Sequence, residues 1–260
     1  MPSIKSNIEK ILKECDKHNA LLVCVTKNQT VEKIREAIKA GIKIIGENRV
    51  KEAVEKFQKL TEEVPDLQLE KHFIGQIQSN KIKQIVENFD LIQSVYKGKH
   101  LIEINKQAEK IGKIMPVLIE INISNEEQKG GIDPHKIMDF LSSSHHLKNL
   151  KIVGIMGMAE NTEDQDKIRT QFIILKGIFD ELQKFYPGTT VETGRDLSLH
   201  NDKKRGLSLC NDKKCISFLE YPIHDSYPEI SYISMGMTND YQLALSEGSN
   251  TVRVGRGVFN

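Results

Sequence analysis

The chain has 260 residues, and its 37 Lys and Arg against 36 Asp and Glu give a formal net charge of +1. Its 38% hydrophobic content supports a large core and excludes a disordered chain. The balanced charge argues against a nucleic-acid-binding surface, which needs clustered and uncompensated Lys and Arg. The longest clean apolar run, residues 20–25, is too short to cross a bilayer, and the chain start has no apolar signal-peptide core. We therefore expect a cytoplasmic protein without a membrane partner.

The four cysteines predict no metal site. They are Cys15, Cys24, Cys210 and Cys215, and they form no C-x-x-C pair. No histidine lies at zinc-finger spacing from them. We expect reduced, structural thiols, as is usual in the cytoplasm.

Helical and β-rich patterns alternate along the chain. The first pattern is a helix, with Ile4, Ile8, Ile11, Leu12 and Cys15 on one face. Eight short β-rich runs follow in chain order, at residues 20–25, 42–45, 72–75, 91–95, 116–123, 151–158, 230–236 and 251–255. The segments between them show the 3.6-residue periodicity of helices.

Two capping patterns predict where helices begin. Thr30 is a candidate N-cap for a helix that carries Ile34 and Ile38 on its apolar face. The capping box Thr162-x-x-Gln165 predicts the start of a longer helix. Both patterns agree with helices that follow β-rich runs.

Eight strands that alternate with helices predict an α/β protein, a (β/α)8 TIM-type barrel with an additional N-terminal helix. The alternative is an open doubly wound sheet, which would want a glycine-rich turn after the first strand. Residues 26–30 form that turn here and contain no glycine. We therefore predict a single barrel domain over residues 1–260.

Residues 191–229 interrupt the alternation. They contain a near repeat, LSLHNDKK at 197–204 and LSLCNDKK at 207–214. The segment joins a helix to the next strand, which predicts a position on the N-terminal face of the barrel, opposite the usual active-site face. We expect a flexible insertion rather than a substrate lid.

Lys27 is the first residue with potential chemistry. It follows the first strand, on the same side as Val23 and Val25 if the alternation continues. If that side faces the barrel interior, desolvation would lower the pKa of Lys27 and free its amine to form a Schiff base. The alternative is an ordinary solvated lysine at a strand end.

Two glycine-containing motifs follow the last two strands, where barrels commonly bind phosphate. Gly236 and Gly255 would let backbone N–H groups approach a phosphate closely, and Ser234 would add a hydroxyl donor. The alternative is that both glycines are only turn residues. Arg253 precedes Gly255 by two residues within a strand, so it shares its face and needs an acceptor if buried. A salt bridge inside the barrel would be one such acceptor.

A lysine amine, a phosphate cradle and an interior arginine together suggest pyridoxal 5'-phosphate (PLP). Arg253 does not readily give up a proton, so it would prefer an unprotonated pyridine nitrogen as its partner. An unprotonated ring is a weaker electron sink, which disfavours deep carbanion chemistry.

Seven short motifs carry a specific resemblance. They are V-T-K (25–27), G-E-N (46–48), H-F-I-G-Q-I-Q-S-N-K (72–81), I-N-I-S (121–124), G-I-M (154–156), S-M-G-M-T-N-D (234–240) and V-R-V-G (252–255). With these motifs the chain resembles the YggS/PROSC family, the pyridoxal phosphate homeostasis proteins. The resemblance covers residues 21–259 apart from the insertion.

The resemblance implies a barrel similar to the N-terminal domain of alanine racemases, with PLP held as a Schiff base on Lys27. The other implied cofactor-binding residues are Asn48, Met156, Ser234, Gly236, Arg253, Gly255 and Arg256. Arg253 would face the pyridine nitrogen. Family members have no established turnover and are thought to buffer PLP or carry it to client enzymes, as monomers. Two departures are Gln29, where many relatives have a second lysine, and Arg256, where relatives often have threonine.

Two enzyme alternatives remain open. A PLP-dependent alanine racemase needs a second acid/base, which in racemases is a tyrosine from a separate domain. Here Tyr221, Tyr227 and Tyr232 lie in or next to the insertion. A sugar-phosphate lyase would use Lys27 directly, and its substrate would occupy the phosphate cradle.

Overall fold

The computed structural model describes residues 3–63, 68–124, 130–186, 208–211, 214–217 and 230–260. Its strands are β1 (Leu21–Val25), β2 (Ile44–Glu47), β3 (Glu70–Phe73), β4 (Leu91–Val95), β5 (Met115–Ile121), β6 (Leu150–Gly157), β7 (Ser208–Asn211), β8 (Lys214–Ser217), β9 (Tyr232–Ser234) and β10 (Thr251–Val254). Its α-helices are α1 (Ile4–Lys17), α2 (Val31–Lys39), α3 (Val50–Glu63), α4 (Ile82–Asn88), α5 (Gly98–Lys110), α6 (Ile137–Ser142), α7 (Gln165–Phe185), α8 (Tyr241–Ser246) and α9 (Arg256–Phe259).

Eight parallel strands close into a barrel in the order β1-β10-β9-β6-β5-β4-β3-β2. Each barrel strand overlaps one of the eight β-rich runs, so the predicted (β/α)8 barrel and its N-terminal helix are confirmed. β7 and β8 pair antiparallel as a separate two-stranded sheet within the predicted insertion 191–229. The rest of that insertion lies outside the described residues, so its flexibility and its face remain predictions.

Capping explains two helix starts. Thr30 accepts a hydrogen bond from the backbone N–H of Lys33, which confirms it as the N-cap of α2. The predicted capping box at Thr162 is wrong, because α7 begins after Asp164, whose carboxylate accepts from the N–H groups of Asp166 and Lys167. The Thr162 hydroxyl stabilises the preceding turn instead, where it accepts from the N–H of Asp164.

The two faces of β1 show how the core is divided. Leu22 and Cys24 belong to the large apolar cluster that includes residues of the surrounding helices. Val23 pairs with Arg253 of β10 and so shares the interior face with it. Cys15 and Cys24 are buried free thiols, and burial raises the pKa of each to about 12, as expected for structural cysteines. No helix in the described ranges is long and apolar enough to cross a bilayer.

Gly154 allows β6 and β9 to approach each other. It pairs with Tyr232, and a Cβ at this position would lie 2.0 Å from the carbonyl oxygen of Tyr232. No side chain fits in that distance, and the obstructing atom is backbone that cannot move without breaking the ladder. The glycine of the G-I-M motif is therefore required by barrel closure.

We expect Gly154→Ala to lower the free energy of unfolding by about 3 kcal/mol or more, because the methyl group forces β6 and β9 apart. Gly98→Ala is the matched control, since a Cβ there meets nothing within 4 Å. Urea denaturation of both variants and the wild type measures the difference. Equal stabilities for the two variants would contradict the close approach.

Candidate functional site

A cavity of about 400 Å³ opens at the carboxyl ends of the strands. Its walls come mainly from the segments that follow β1, β2, β3, β6, β9 and β10. Five of the predicted site residues line it, namely Lys27, Asn48, Arg253, Gly255 and Arg256. The cavity is of the size typical for small ligands and lies at the face where barrels bind them.

Lys27 is exposed at this cavity rather than buried. β1 ends at Val25, so the chain has left the barrel wall before it reaches Lys27. Of the two alternatives that the sequence left open, the structure shows the solvated lysine at a strand end. Its position depends instead on how the short turn after β1 is held.

A buried lysine fixes that turn. Lys56 of α3 donates through Nζ to the carbonyl oxygen of Thr26 at 2.8 Å and to Glu47 Oε1 at 2.8 Å. The Thr26 hydroxyl donates to the same Glu47 oxygen at 2.7 Å. Lys56 Nζ also reaches Glu52 Oε1 at 2.6 Å, and Glu52 accepts from the N–H of Asn28 at 2.9 Å. Both neighbours of Lys27 in the chain are thus bonded to one charged cluster.

Glu47 is the member of this cluster whose burial costs free energy. It is fully buried, and burial raises the pKa of its carboxyl group, although the bonds from Lys56 and Thr26 oppose the shift. Glu52 is more exposed, and its bond to Lys56 holds its pKa below the usual value. Removing Lys56 would leave the Glu47 charge buried without a cation, which is strongly destabilising in protein interiors.

Arg253 crosses the interior of the barrel and is 4% exposed. One terminal nitrogen donates to the Ser234 hydroxyl and the other to the carbonyl oxygen of Gly157 at 3.0 Å. These acceptors are a hydroxyl and a carbonyl, and Arg253 forms none of the salt bridges found among the described residues, so the interior salt bridge left open by the sequence is not seen there. Burial lowers the pKa of Arg253 to about 10, while Asp240 and Glu120 oppose the shift. The guanidinium is therefore still charged at neutral pH.

Ser234 lies inside the barrel and does not line the cavity. Besides accepting from Arg253, its hydroxyl donates to Gln93 Oε1 at 2.8 Å. Gln93 Nε2 lies 2.8 Å from His72 Nδ1, and His72 Nε2 lies 2.7 Å from Glu70 Oε1. A chain of polar groups, buried from Ser234 to His72 and ending at exposed Glu70, thus supports the guanidinium from below. The structure places Ser234 in that chain rather than beside Gly255.

Thr238 is a residue that the sequence interpretation missed. Its hydroxyl oxygen accepts from the backbone N–H groups of Gly255 and Gly257, each at 3.4 Å. Two convergent backbone N–H groups are a common anion-binding arrangement at the carboxyl end of a barrel strand. Thr238 also lines the cavity, within the S-M-G-M-T-N-D motif that signalled the region.

Gly236 shapes this loop without lining the cavity. It has a φ of +93°, and a Cβ there would lie 2.5 Å from the Cβ of Ala244. The following loop carries Asp240, which is buried and accepts from the N–H of Met237 at 2.5 Å. Burial raises the pKa of Asp240, against that hydrogen bond and the nearby Arg253 charge. Gly236 is thus a turn residue, and the turn directs residues 237–240 toward the cavity.

Asn48 carries an unsatisfied atom. Its Oδ1 is buried and has no hydrogen-bond partner among the described residues. The backbone of Asn48 is held by Gly75, where a Cβ would lie only 2.3 Å from the Asn48 carbonyl oxygen. The G-E-N and H-F-I-G motifs therefore meet at this point, and Asn48, which lines the cavity, keeps a buried acceptor without a described partner.

Met156 lies in a second, adjoining cavity of about 310 Å³. The two cavities share several wall residues, among them Ile74, Gln76 and Met158. The second cavity also contains the carboxylate of Glu120, which no sequence motif singled out. Of the predicted site residues, Ser234 and Gly236 line neither of these two cavities.

Comparison with known proteins agrees with this architecture. The sequence matches the family model of the alanine racemase N-terminal domain over residues 1–194. A pyridoxal phosphate homeostasis protein of Aquifex aeolicus is 31% identical over 97% of this chain and 93% of its own length. The Schizosaccharomyces pombe protein of the same name is also 31% identical, over 98% and 89% of the two chains.

Solved structures show the same fold. PipY of Synechococcus elongatus PCC7942, determined with PLP bound, has a TM-score of 0.77 at 25% identity, over 99% of this chain and 100% of that chain. An alanine racemase of Clostridium difficile 630 has a TM-score of 0.63 at 12% identity, and the match covers 97% of this chain and 56% of the racemase. The racemase likeness shows the fold alone.

A closed parallel barrel with a polar cavity over its carboxyl ends defines a (β/α)8-barrel protein built to hold a small ligand. Relatives that match nearly the whole chain identify the family to which this barrel belongs. The chain belongs to the family of pyridoxal phosphate homeostasis proteins, whose barrel is of the alanine racemase N-terminal type. The resemblance carried by the seven motifs is confirmed.

We expect Lys56→Met to lower the free energy of unfolding at pH 8 by about 3 kcal/mol, because it leaves Glu47 buried and unpaired. Without Lys56 the pKa of Glu47 lies further above its unfolded value, so the folded state takes up a proton as the pH falls. The deficit should therefore shrink between about pH 8 and pH 5. Urea denaturation at several pH values measures it, with exposed Lys51→Met as the control. A deficit that does not depend on pH would contradict the assignment.

Proposed function

We propose that this protein binds PLP as a Schiff base on Lys27 and takes part in PLP homeostasis without catalytic turnover of its own. The observation that carries the proposal is that Lys27, Asn48, Arg253 and Gly255 line one cavity of suitable size. The PLP bound to the related PipY and the family's name support the choice of ligand.

The residues present fit the cofactor. Asn48 Oδ1 is a buried acceptor without a described partner, which suits a ligand that brings a hydroxyl donor. The N–H groups of Gly255 and Gly257 converge on one oxygen, that of Thr238, which suits a phosphate oxygen at the same place. Exposed Arg256 adds a cation at this end of the cavity.

When bound, PLP supplies an aldehyde for attachment and a ring that withdraws electrons. Arg253 keeps its charge at neutral pH and is held by Ser234 and Gly157, so it would act toward the ring as a donor and not as an acid. That arrangement binds the ring without strengthening it as an electron sink. It favours storage of the cofactor over chemistry on it.

The described part of the chain does not place at either cavity the tyrosine that serves racemases as their second acid/base. No tyrosine lines either cavity there. Burial raises the pKa of Tyr232 above its usual value, which makes proton exchange at neutral pH harder. Tyr221 and Tyr227 lie outside the described residues.

We further propose that the protein works as a cytoplasmic monomer and delivers PLP to client enzymes. The exposure of Lys27 supports delivery, because an amine at the cavity rim can be reached by another nucleophile. Gln29 stands in the same turn where many relatives have a second lysine. Delivery by this chain would therefore not use a second amine at that position.

Lys27→Ala should abolish covalent attachment of PLP. Wild-type protein incubated with PLP and reduced with borohydride should give a single pyridoxyl adduct on Lys27, read by peptide mass spectrometry. Exposed Lys51→Ala is the control and should retain the adduct. A reducible, visibly absorbing adduct that persists in the Lys27→Ala protein would refute the assignment.

Arg256→Ala should weaken PLP binding about threefold to tenfold, because one charged contact to the phosphate is removed at an exposed site. Binding of pyridoxal, which has no phosphate, should change little. The comparison separates a phosphate contact from a general disturbance of the cavity. Lys106→Ala on α5 is the control, and equal losses for PLP and pyridoxal would count against the phosphate contact.

A further inference from the structure

The second cavity has its own chemistry. It lies beside the Lys27 cavity, and its wall combines a carboxylate with polar and thioether groups. The groups that matter are Glu120, Ser94, Asn161, Met156, Met158 and Met237. Met237 and Asn161 are exposed, so the cavity can be entered from solvent.

Glu120 is an unpartnered buried charge in this cavity. It is 4% exposed, and no side chain or N–H group of the described residues donates a hydrogen bond to its carboxylate. Arg253 is the charged group that acts on it, but the hydrogen bonds from its terminal nitrogens go to Ser234 and Gly157 and not to Glu120. Burial raises the pKa of Glu120 to about 7. The group is therefore poised between its charged and neutral forms.

The neighbouring polar groups do not satisfy this carboxylate. The Ser94 hydroxyl donates its proton to the carbonyl oxygen of Gly75. The remaining wall near Glu120 is largely apolar, with Met156 buried and Met158 half-buried. The charged form of a buried carboxylate in such surroundings is stabilised by a ligand that brings a positive charge and N–H donors.

An organic ammonium fits better than a metal ion. The described residues contain no group of three His, Cys, Asp or Glu that could ligate a metal. One carboxylate among thioethers is also a poor site for hard divalent cations, which prefer several oxygen ligands. A small ammonium ion needs one carboxylate, and its apolar body would pack against flexible methionine side chains.

We propose that the Glu120 cavity binds the ammonium group of a small primary amine, beside the cavity that contains Lys27. Glu120 lies on β5, diametrically opposite β1 in the closed barrel. The shared wall residues, such as Ile74 and Met158, make the two cavities continuous. A bound amine would thus enter the Lys27 cavity from the far side.

The use of this amine rests on the proposed function. Glu120 would accept the proton of the ammonium group, and the free amine would attack the carbon that Lys27 holds. With PLP attached to Lys27, a C=N bond to the amine would replace the C=N bond to Lys27, and the two hydrogens of the attacking amine would pass to the Lys27 nitrogen. The released Lys27 amine would then take up the proton held by Glu120, and the cofactor would leave Lys27 bound to the amine.

The test titrates cofactor-free, full-length protein with n-propylammonium chloride and, separately, with L-alanine. Binding is followed by calorimetry and by the ¹³C-methyl resonances of labelled methionines. The affinity should rise as Glu120 loses its proton through about pH 7. Glu120→Gln keeps the shape but not the charge and should bind about tenfold more weakly. Glu87→Gln, exposed on α4, is the matched control and should bind like the wild type.

The two ligands separate two sources of the amine. Binding of both supports a site for amino acids and simple amines, and binding of propylammonium alone supports a site for simple amines. Failure of both to bind, or equal affinity in Glu120→Gln, overturns the proposal. A second measurement does not need the variant: bound amine should lower the pKa of Glu120 in ¹³C-carboxyl titrations of wild-type protein. Neither result depends on whether Lys27 carries PLP.

Discussion

The buried guanidinium of Arg253 is the constraint on which the upper part of the barrel depends. A charge at this depth persists only if the surroundings supply acceptors, and here two neighbouring strands do so. β10 carries the arginine, β9 supplies the Ser234 hydroxyl, and β6 supplies the Gly157 carbonyl. The polar chain through Gln93 extends the support to the opposite wall. The guanidinium therefore links the strands that form the floor of both cavities.

A second charged cluster positions the rim. Lys56 is bonded to the carbonyl of Thr26 and, through Glu52, to the N–H of Asn28, so the turn that carries Lys27 is held on both sides. The Lys27 amine itself remains exposed. This arrangement keeps the proposed attachment point accessible while hydrogen bonds hold its backbone, which suits the proposed binding and release of PLP.

The barrel could be predicted because eight β-rich runs and the intervening helical periodicity are local patterns in the chain. The site was harder to predict, because the contacts that define it join residues that are far apart in the sequence. Strand alternation placed Arg253 correctly on the interior face, but the same alternation does not extend past Val25 to Lys27, which is exposed. The sequence predicts Ser234 as a phosphate donor, but its hydroxyl accepts a hydrogen bond from Arg253 inside the barrel. Glu120 was not predicted as a site residue, because its position across the cavity from Lys27 depends on which strands face each other in the closed barrel.

The long segment between α7 and β9 has a further consequence. Its flanking residues are bonded to each other, since the N–H of Ile230 donates to the carbonyl of Tyr186, and Gln183 Nε2 donates to the carbonyl of Ile230 at 3.0 Å. The two ends of the segment thus meet at the barrel, and doubling the length of a flexible connection costs only about 0.6 kcal/mol in closure entropy. If the segment is flexible, as the sequence predicts, a further copy of the near repeat would add little thermodynamic cost. This junction is a natural place to splice in a reporter domain.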